Sequence, residues 1–589
     1  MSFKRLLGKF LVWRIRHLST RNFVIMVGGL VGVVGGIAAV TLKSAVHFIQ
    51  ELIKHIDVDY SYLFFPVFGI VVTALIARYM FREQLGHGIT SILFYISKKS
   101  SIIHRNKMFS RMITSGITVG CGGSVGLEAP IVVTGSAIGS NIGRLMHLNY
   151  KQRTLMIGCG AAAAISGIFN SPVAGVIFSI EVILTDVTIA AFIPLLIASV
   201  LGSLISMLLL GKDVLFSFEL TDPFSAADFP FYLLLGAICG LVSVYFSRTT
   251  LWTEKIIGKV KSVFPRAIIG GLALTAVIFV LAPLYGEGYD SIKLLLQGRV
   301  QEIVSSSALF SRFQDPWFIV VFGLAIILMK PIATGLTIGA GGNGGIFAPS
   351  LFIGGITGFV FSQTNNLLGL NQGLSISNFT LVGMCGVMSG VLHAPLTAIF
   401  LIAEITSGYT LFLPLMLVSA VAYSTNSYFE KYSFYTAKLI KSGDLIPSHD
   451  KDKQVLSLIS IEKMIERDLL TIHPSQTLED LVSLIKKSRR NIFPVVNEND
   501  ELKGIITLDD VREIMFNSDS QKSLIAESLM HRPPETVQSD EKMSEVMAKF
   551  EKTGAWNLPV IDHGKYVGIV SKSRIFNAYR TKLRRQNKE

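Results

Sequence analysis

The stretch Gly126-Leu127-Glu128-Ala129-Pro130 closes a glycine-rich run that begins near Gly120, and it sets one carboxylate in a long apolar region. A second copy of the pattern stands in the other half of the chain as Gly345-Ile346-Phe347-Ala348-Pro349, with Phe347 where the first copy has Glu128. In each copy a proline follows a glycine-rich loop. Proline is favoured in the first turn of a helix, where no intrahelical donor is lost. Each loop is therefore expected to bring free N–H groups and the positive end of a helix dipole to one point. Two such points facing one another inside a membrane would make a path for an anion. The amides of Gly126, Leu127, Ile346 and Phe347 are the expected ligands. Groups of this kind hold an anion without a full positive charge, so that it can leave again.

The composition supports a membrane setting. Half of the 589 residues are hydrophobic and 16% are charged, with a mean hydropathy of +0.53; soluble domains carry about 25% charged residues. Phe23 to Leu42, Leu63 to Ala77, Val187 to Leu210, Phe231 to Phe246, Ala267 to Leu284 and Leu411 to Tyr423 are apolar runs. They reach or approach the ~20 residues that cross a bilayer. Gly and Pro interrupt many apolar segments. Non-helical backbone survives at membrane depth only where it is buried in protein or lines a cavity. Broken or re-entrant helices thus point to a transporter or channel rather than to an anchored receptor.

Residues 1–21 are basic and amphipathic, unlike a cleavable signal. They read as a helix on the cytoplasmic face, held to anionic lipid by Lys4, Arg5, Lys9, Arg14 and Arg16. A net charge of +13 would suggest nucleic-acid binding in a soluble protein. In a membrane protein it follows the positive-inside rule, and no nucleic-acid partner is expected. The segment from Lys98-Lys99 to Lys107 and Arg111 fits that rule, whereas Glu219 to Asp228 and Glu287 to Asp290 read as external acidic loops. Cys121, Cys159, Cys239 and Cys385 lack metal-ligand or CxxC spacing and read as reduced packing residues; no metal is expected. There is no HExxH, and the glycine runs lack the P-loop lysine. No catalytic set emerges, so the protein is not read as an enzyme.

The chain repeats itself. Val119 to Gly139 aligns without gaps on Ile338 to Gly358, and Gly167 to Glu181 aligns on Gly390 to Glu404. Pro172 pairs with Pro395 and Glu181 with Glu404. Two halves with corresponding broken helices are the signature of a repeat transporter fold, whose binding site lies where the halves meet. The expected fold class is an all-α membrane domain of two inverted-topology repeats over residues 22–440. Close helix packing accounts for some of the glycines, but not for an acid beside them.

Glu128 is that acid. Its carboxylate can occupy an anion site and plug it, and protonation would release it. Burial and the helix end act on its proton affinity in opposite senses. An acid inside a membrane is a functional candidate; a structural salt bridge is the alternative. Glu181 and Glu404 read as loop anchors bonded to backbone amides, with a proton relay through Glu181 as the other reading. His87, in Gly86-His87-Gly88-Ile89-Thr90, suits either an anion at the inner mouth or a helix cap. Tyr435 by itself reads as a residue of the interfacial belt.

Residues 441–454 are a polar linker. From 455 to 589 short apolar runs alternate with charged helices, as in a soluble α/β domain. This part also repeats: Asn491 to Val511 corresponds to Asn557 to Ile575, each copy reading as strand, turn, strand and helix.

Together these motifs resemble the CLC family of chloride channels and chloride/proton antiporters, followed by a cytosolic pair of CBS domains. The likeness spans nearly the whole chain, and GLEAP and GIFAP in order, with SFYTAKL (Ser433 to Leu439) after them, carry it. The resemblance implies a homodimer in the bilayer with one anion path per subunit, and chloride as the transported ion. It implies that Glu128 is the external gating glutamate, that Ile346 and Phe347 offer amides to a central anion, and that Tyr435 offers its hydroxyl. A multi-pass protein with both termini cytoplasmic is expected, and the compact length without a long glycosylated loop points to a bacterial inner membrane.

Two positions depart from the family pattern. GHGIT replaces GSGIP, so His87 stands in place of a serine ligand, which keeps fluoride or nitrate open as cargo. Val182 stands where antiporters carry an inner proton-transfer glutamate. That favours a voltage- or pH-gated channel; antiport by another proton route is the alternative, and a membrane sensor without transport is a reading of another class. In the tail, Gly504 to Asp510 matches the CBS nucleotide pattern, with Thr507 and Asp510 expected at a ribose. The second copy, Gly568 to Arg574, has Arg574 in place of the acid. At most one adenine-nucleotide site is implied, and a purely structural, dimer-strengthening module is the alternative.

Overall fold

A computed structural model divides the chain into two units, residues 1–445 and 446–589. It describes residues 3–55, 63–83, 85–184, 189–211, 224–307, 310, 315–370, 373–406, 408–442, 444, 456 and 459–588. Most of the expected linker, and the first half of the acidic loop that ends at Asp228, lie outside the described residues.

The first unit is built of helices. Its first half holds α1 (Phe3–His17), α2 (Thr20–Lys54), α3 (Phe64–Leu75), α4 (Gly88–Lys98), α5 (Ser110–Gly120), α6 (Glu128–Leu145), α7 (Tyr150–Phe169), α8 (Pro172–Phe178) and α9 (Ile189–Leu210). The second half holds α10 (Phe229–Ile257), α11 (Val263–Val280), α12 (Tyr289–Leu296), α13 (Val300–Ser305), α14 (Pro316–Ala340) and α15 (Phe347–Leu368). It ends with α16 (Ile376–Leu392), α17 (Pro395–Ile405), α18 (Phe412–Phe429) and α19 (Ala437–Lys441). Among the described residues five helical stretches are long and apolar enough to cross a membrane: Thr20–Lys54, Ile189–Leu210, Ala226–Ile257, Val263–Val280 and Pro316–Ala340. Exposed Leu204, Leu208, Leu233, Leu241, Leu272 and Leu328 lie on them. Such a surface belongs against lipid or another subunit.

The repeat seen in the sequence is a repeat of packing. α6 packs on α7 as α15 packs on α16; α2 packs on α9 as α10 packs on α18; and α3 and α8 meet α11 and α17 across the halves. The close approach explains two aligned glycines. A Cβ on Gly139 would overlap the Met156 carbonyl, and one on Gly358 would overlap the Phe379 carbonyl. Helix ends repeat too. α7 stops at Asn170 and α16 at His393, aligned residues that both take a left-handed backbone (φ 59° and 54°). Pro172 and Pro395 then open α8 and α17, where a missing N–H costs nothing. α3 and α8 each run on into a single π turn, Ile76–Met80 and Ser179–Ile183, a feature frequent at functional sites.

In the second unit β1 (Ile492–Val496) pairs antiparallel with β2 (Leu502–Thr507). β3 (Val537–Gln538) runs parallel to β4 (Asn557–Asp562), which pairs antiparallel with β5 (Lys565–Ser571). Each sheet has its own small core, one around Phe493 and Ile506 and one around Phe550 and Val560. The copies interlock: Glu466 and Ile569 exchange both backbone hydrogen bonds (2.8 and 3.0 Å), and so do Ile505 and His531 (3.0 Å each).

Candidate functional site

The two glycine-rich loops meet. The Gly126 amide donates to the Gly345 carbonyl at 2.9 Å, and the Gly345 amide donates to the Gly126 carbonyl at 2.7 Å. The bridge brings the starts of α6 and α15 together. It also corrects one expectation, because the Gly126 amide is committed to protein and is not free for an anion. The Leu127 amide has a partner as well, Oε1 of Glu287 at 3.0 Å. The amides of Ile346 and Phe347 lie at the first turn of α15, where no intrahelical acceptor exists. The Phe347 ring is packed against Phe169 and Phe178, with centroids 5.5 and 6.2 Å away.

Glu128 opens α6 and is 1% exposed. The Tyr289 hydroxyl donates to its Oε1 at 2.5 Å. Its Oε2 is buried without a hydrogen-bond partner among the described residues. That oxygen lies over Gly126: a Cβ there would overlap it and come within 2.7 Å of the Ala348 Cβ. The carboxylate thus sits between the two loops, at the paired helix starts. The Tyr435 hydroxyl is likewise buried without a partner among the described residues, while the Tyr435 carbonyl accepts from Thr90 Oγ1 at 3.0 Å.

No base stands near Glu128 in sequence, yet Lys330 of α14 is fully buried close to its loop. Lys330 Nζ donates to Ser124 Oγ (2.9 Å) and to the Gly286 carbonyl (3.1 Å). Ser124 lies in a run that fits GxSxG letter for letter. It follows a helix rather than a strand, and its hydroxyl donates to the Leu284 carbonyl at 2.7 Å.

His87 takes the N-cap position of α4, but its side chain makes no cap bond. Its Nε2 lies 3.1 Å from Oε2 of Glu254, near the end of α10, and its ring meets Phe434 edge-on at 4.8 Å. The helix-cap reading is therefore replaced by a contact with an acid. The loop ahead of it is pinned by two buried charges from the segment that the sequence assigns to the positive-inside rule. Arg111, 2% exposed, donates to the Gly86 carbonyl (3.1 Å), to Glu83 Oε1 (3.0 Å) and to Asn343 Oδ1 (3.3 Å). Lys107 Nζ pairs with Glu83 at 2.6 Å. Asn343 returns a bond to the Arg111 carbonyl (3.0 Å) and so ties this corner to the second glycine loop. Val182 lies in the π turn beside Glu181. The Glu181 carboxylate is held by the Leu396 and Thr397 amides (3.2 and 2.8 Å) and by the Thr397 hydroxyl (2.7 Å).

The family model described as voltage gated chloride channel matches residues 68–427, more than half of the chain, and the CBS domain matches residues 461–517 and 526–581. The chain belongs to the voltage gated chloride channel family. It is 26% identical to chloride channel protein CLC-f of Arabidopsis thaliana, over 92% of this chain and 78% of that protein. Its fold matches that of a slow cyanobacterial Cl-/H+ antiporter (TM-score 0.61, 21% identity, 72% of this chain and 98% of that one). It also matches a CLC-type fluoride/proton antiporter (TM-score 0.57, 23% identity, 70% and 97%).

Within this CLC fold the structure brings together the two loops that the sequence singled out, and it adds partners that the sequence reading missed. Glu287, Tyr289, Lys330 and Glu254 are brought in from loops and helices distant in the chain. A signal existed for two of them: Lys330 is a lone charge in an apolar helix, and Glu287 stands between two glycines. In the CBS pair, Thr507 donates its amide and its hydroxyl to Asp510 Oδ2, each at 2.7 Å. That is a helix cap, which serves the start of the short helix Leu508–Val511 with or without a ligand. In the second copy Ser571 Oγ donates to Glu466 Oε1 at 2.6 Å.

Proposed function

We propose that this protein conducts chloride across a membrane through a path gated by Glu128, one path in each subunit of a homodimer. The observation that carries the reading is the Glu128 carboxylate seated between two helix starts that favour negative charge. In the closed state the carboxylate takes the place of an anion, and Tyr289 holds it there. When the carboxylate is protonated or displaced, it swings out and chloride enters. The Ile346 and Phe347 amides and the Tyr435 hydroxyl then hold a central ion, weakly enough to let it pass. Val182 supports a channel, because the side chain beside the fixed Glu181 carries no proton.

A second reading is proton-coupled exchange. What favours it is the His87–Glu254 pair, a titratable couple that could carry a proton to the inner mouth without an acid at position 182. The same histidine keeps fluoride and nitrate as possible cargo. The CBS pair is assigned a regulatory or dimer-strengthening role, with an adenine nucleotide as the candidate ligand at Thr507 and Asp510. The deciding experiment records chloride and proton movement together from liposomes holding the full chain. Chloride following its gradient alone means a channel, and a fixed ratio of the two means exchange. Glu128→Gln should keep chloride flux, abolish any proton movement and lose most of the pH dependence. An absence of anion flux under every condition would favour the sensor reading instead.

A further inference from the structure

We infer that Glu287 is a second gating carboxylate, one that competes with the anion for the Leu127 amide. This rests on the reading of the Glu128 region as an anion path. The Leu127 N–H opens α6, where donors have no intrahelical acceptor and negative charge is favoured. It is a seat for an anion, and Glu287 occupies it at 3.0 Å.

The loop is shaped to place that side chain. Gly286 and Gly288 flank Glu287 with φ of 64° and 91°, a left-handed backbone that glycine adopts without steric cost. The loop is laced onto the first glycine-rich run. The Gly286 amide donates to the Gly122 carbonyl at 3.1 Å, and Ser124 Oγ donates to the Leu284 carbonyl at 2.7 Å. Lys330 ties both strands of this lacing through Gly286 and Ser124. The same segment carries Tyr289, which grips Glu128. One loop therefore controls two carboxylates, Glu287 directly and Glu128 through a hydroxyl.

The titratable and charged groups that face Glu287 are Glu128 on α6, Lys330 on α14, and Tyr289 and Asp290 on its own segment. While Glu287 is ionised it holds the Leu127 amide against an incoming anion. A proton on Glu287 weakens that hold, since a hydrogen bond to a charged acceptor is roughly twice as strong as one to a neutral group. Two carboxylates released separately give two acid-activated steps. A purely structural role for Glu287, as a cap on α6, gives one.

The test follows chloride flux across a pH series in liposomes containing the full-length protein. Glu128→Gln should retain a smaller acid-activated step, roughly tenfold, the scale of one hydrogen bond to a charged group. Glu128→Gln/Glu287→Gln should be flat. Glu287→Gln alone should bind chloride more tightly at neutral pH. If removing the Glu287 charge near Lys330 keeps the protein from folding, Glu287→Gln/Lys330→Met replaces it in both comparisons. A flat titration of Glu128→Gln, or an unchanged slope in the double variant, would overturn the role of Glu287. Absent flux from the unaltered protein would overturn the transport reading itself.

Discussion

Glu181 and Glu404, equivalent residues of the two repeats, each hold the helix start of the opposite repeat. Glu404 accepts the amides of Val173 and Ala174 at 2.9 and 2.8 Å. Glu181 accepts those of Leu396 and Thr397. Such reciprocity is what a two-fold relation between the halves requires. It clamps α8 to α17 with charge-assisted bonds at unsatisfied helix starts. Glu404→Gln is expected to cost about 2–3 kcal/mol of stability, the scale of hydrogen bonds to a charged group. Thermal unfolding in detergent measures it, and the ratio of chloride to proton flux should not change.

Tyr289→Phe removes the hydroxyl that holds Glu128 in its seat. Chloride then displaces the carboxylate more easily, and flux at neutral pH is expected to rise about tenfold. If flux is unchanged, the bond from Tyr289 does not set the closed state.

Glu254→Gln takes a negative charge away from beside His87. A carboxylate near an anion entrance repels the ion, so chloride flux driven from that side is expected to rise two- to tenfold or so, and most at low ionic strength. Under the exchange reading the same variant loses proton flux. Parallel recordings of both ions separate the two outcomes.

Arg111→Leu is expected to destabilise the fold by about 3–5 kcal/mol, because it leaves Glu83 partly unpaired in a buried place. It also frees the Gly86 carbonyl, so the loop that presents His87 loosens. Less intact protein on size-exclusion chromatography, with a lower unfolding temperature, would show it. Lys107→Met should cost less, since Arg111 still pairs with Glu83.

The aligned glycine loops, the prolines in the first helical turns and the equivalent Glu181 and Glu404 were legible in the chain because they are local patterns that occur twice. Helix starts, helix ends and close packing are all short-range demands, so Gly139 and Gly358, or Asn170 and His393, can be paired by alignment alone. The roles of Lys107 and Arg111 were not legible. A run of basic residues in a loop reads as solvated until a buried acid, here Glu83, is folded against it.

The sequence by itself determined that a membrane domain of two repeats carries one acid, Glu128, at a point where the other repeat has Phe347. It could do so because periodicity, glycine spacing and proline placement are written along the chain. Only the tertiary structure decided what surrounds that acid. Glu287, Tyr289 and Lys330 lie far from it in the chain, and their hydrogen bonds arise from a loop folded onto another helix start. Hydrogen bonds reach about 3 Å whatever the separation in sequence, so which amides are taken and which stay free is settled by packing. By that route Gly126 became a bridge to Gly345, Leu127 became the seat of a second carboxylate, and Glu128 was left poised between two helix starts.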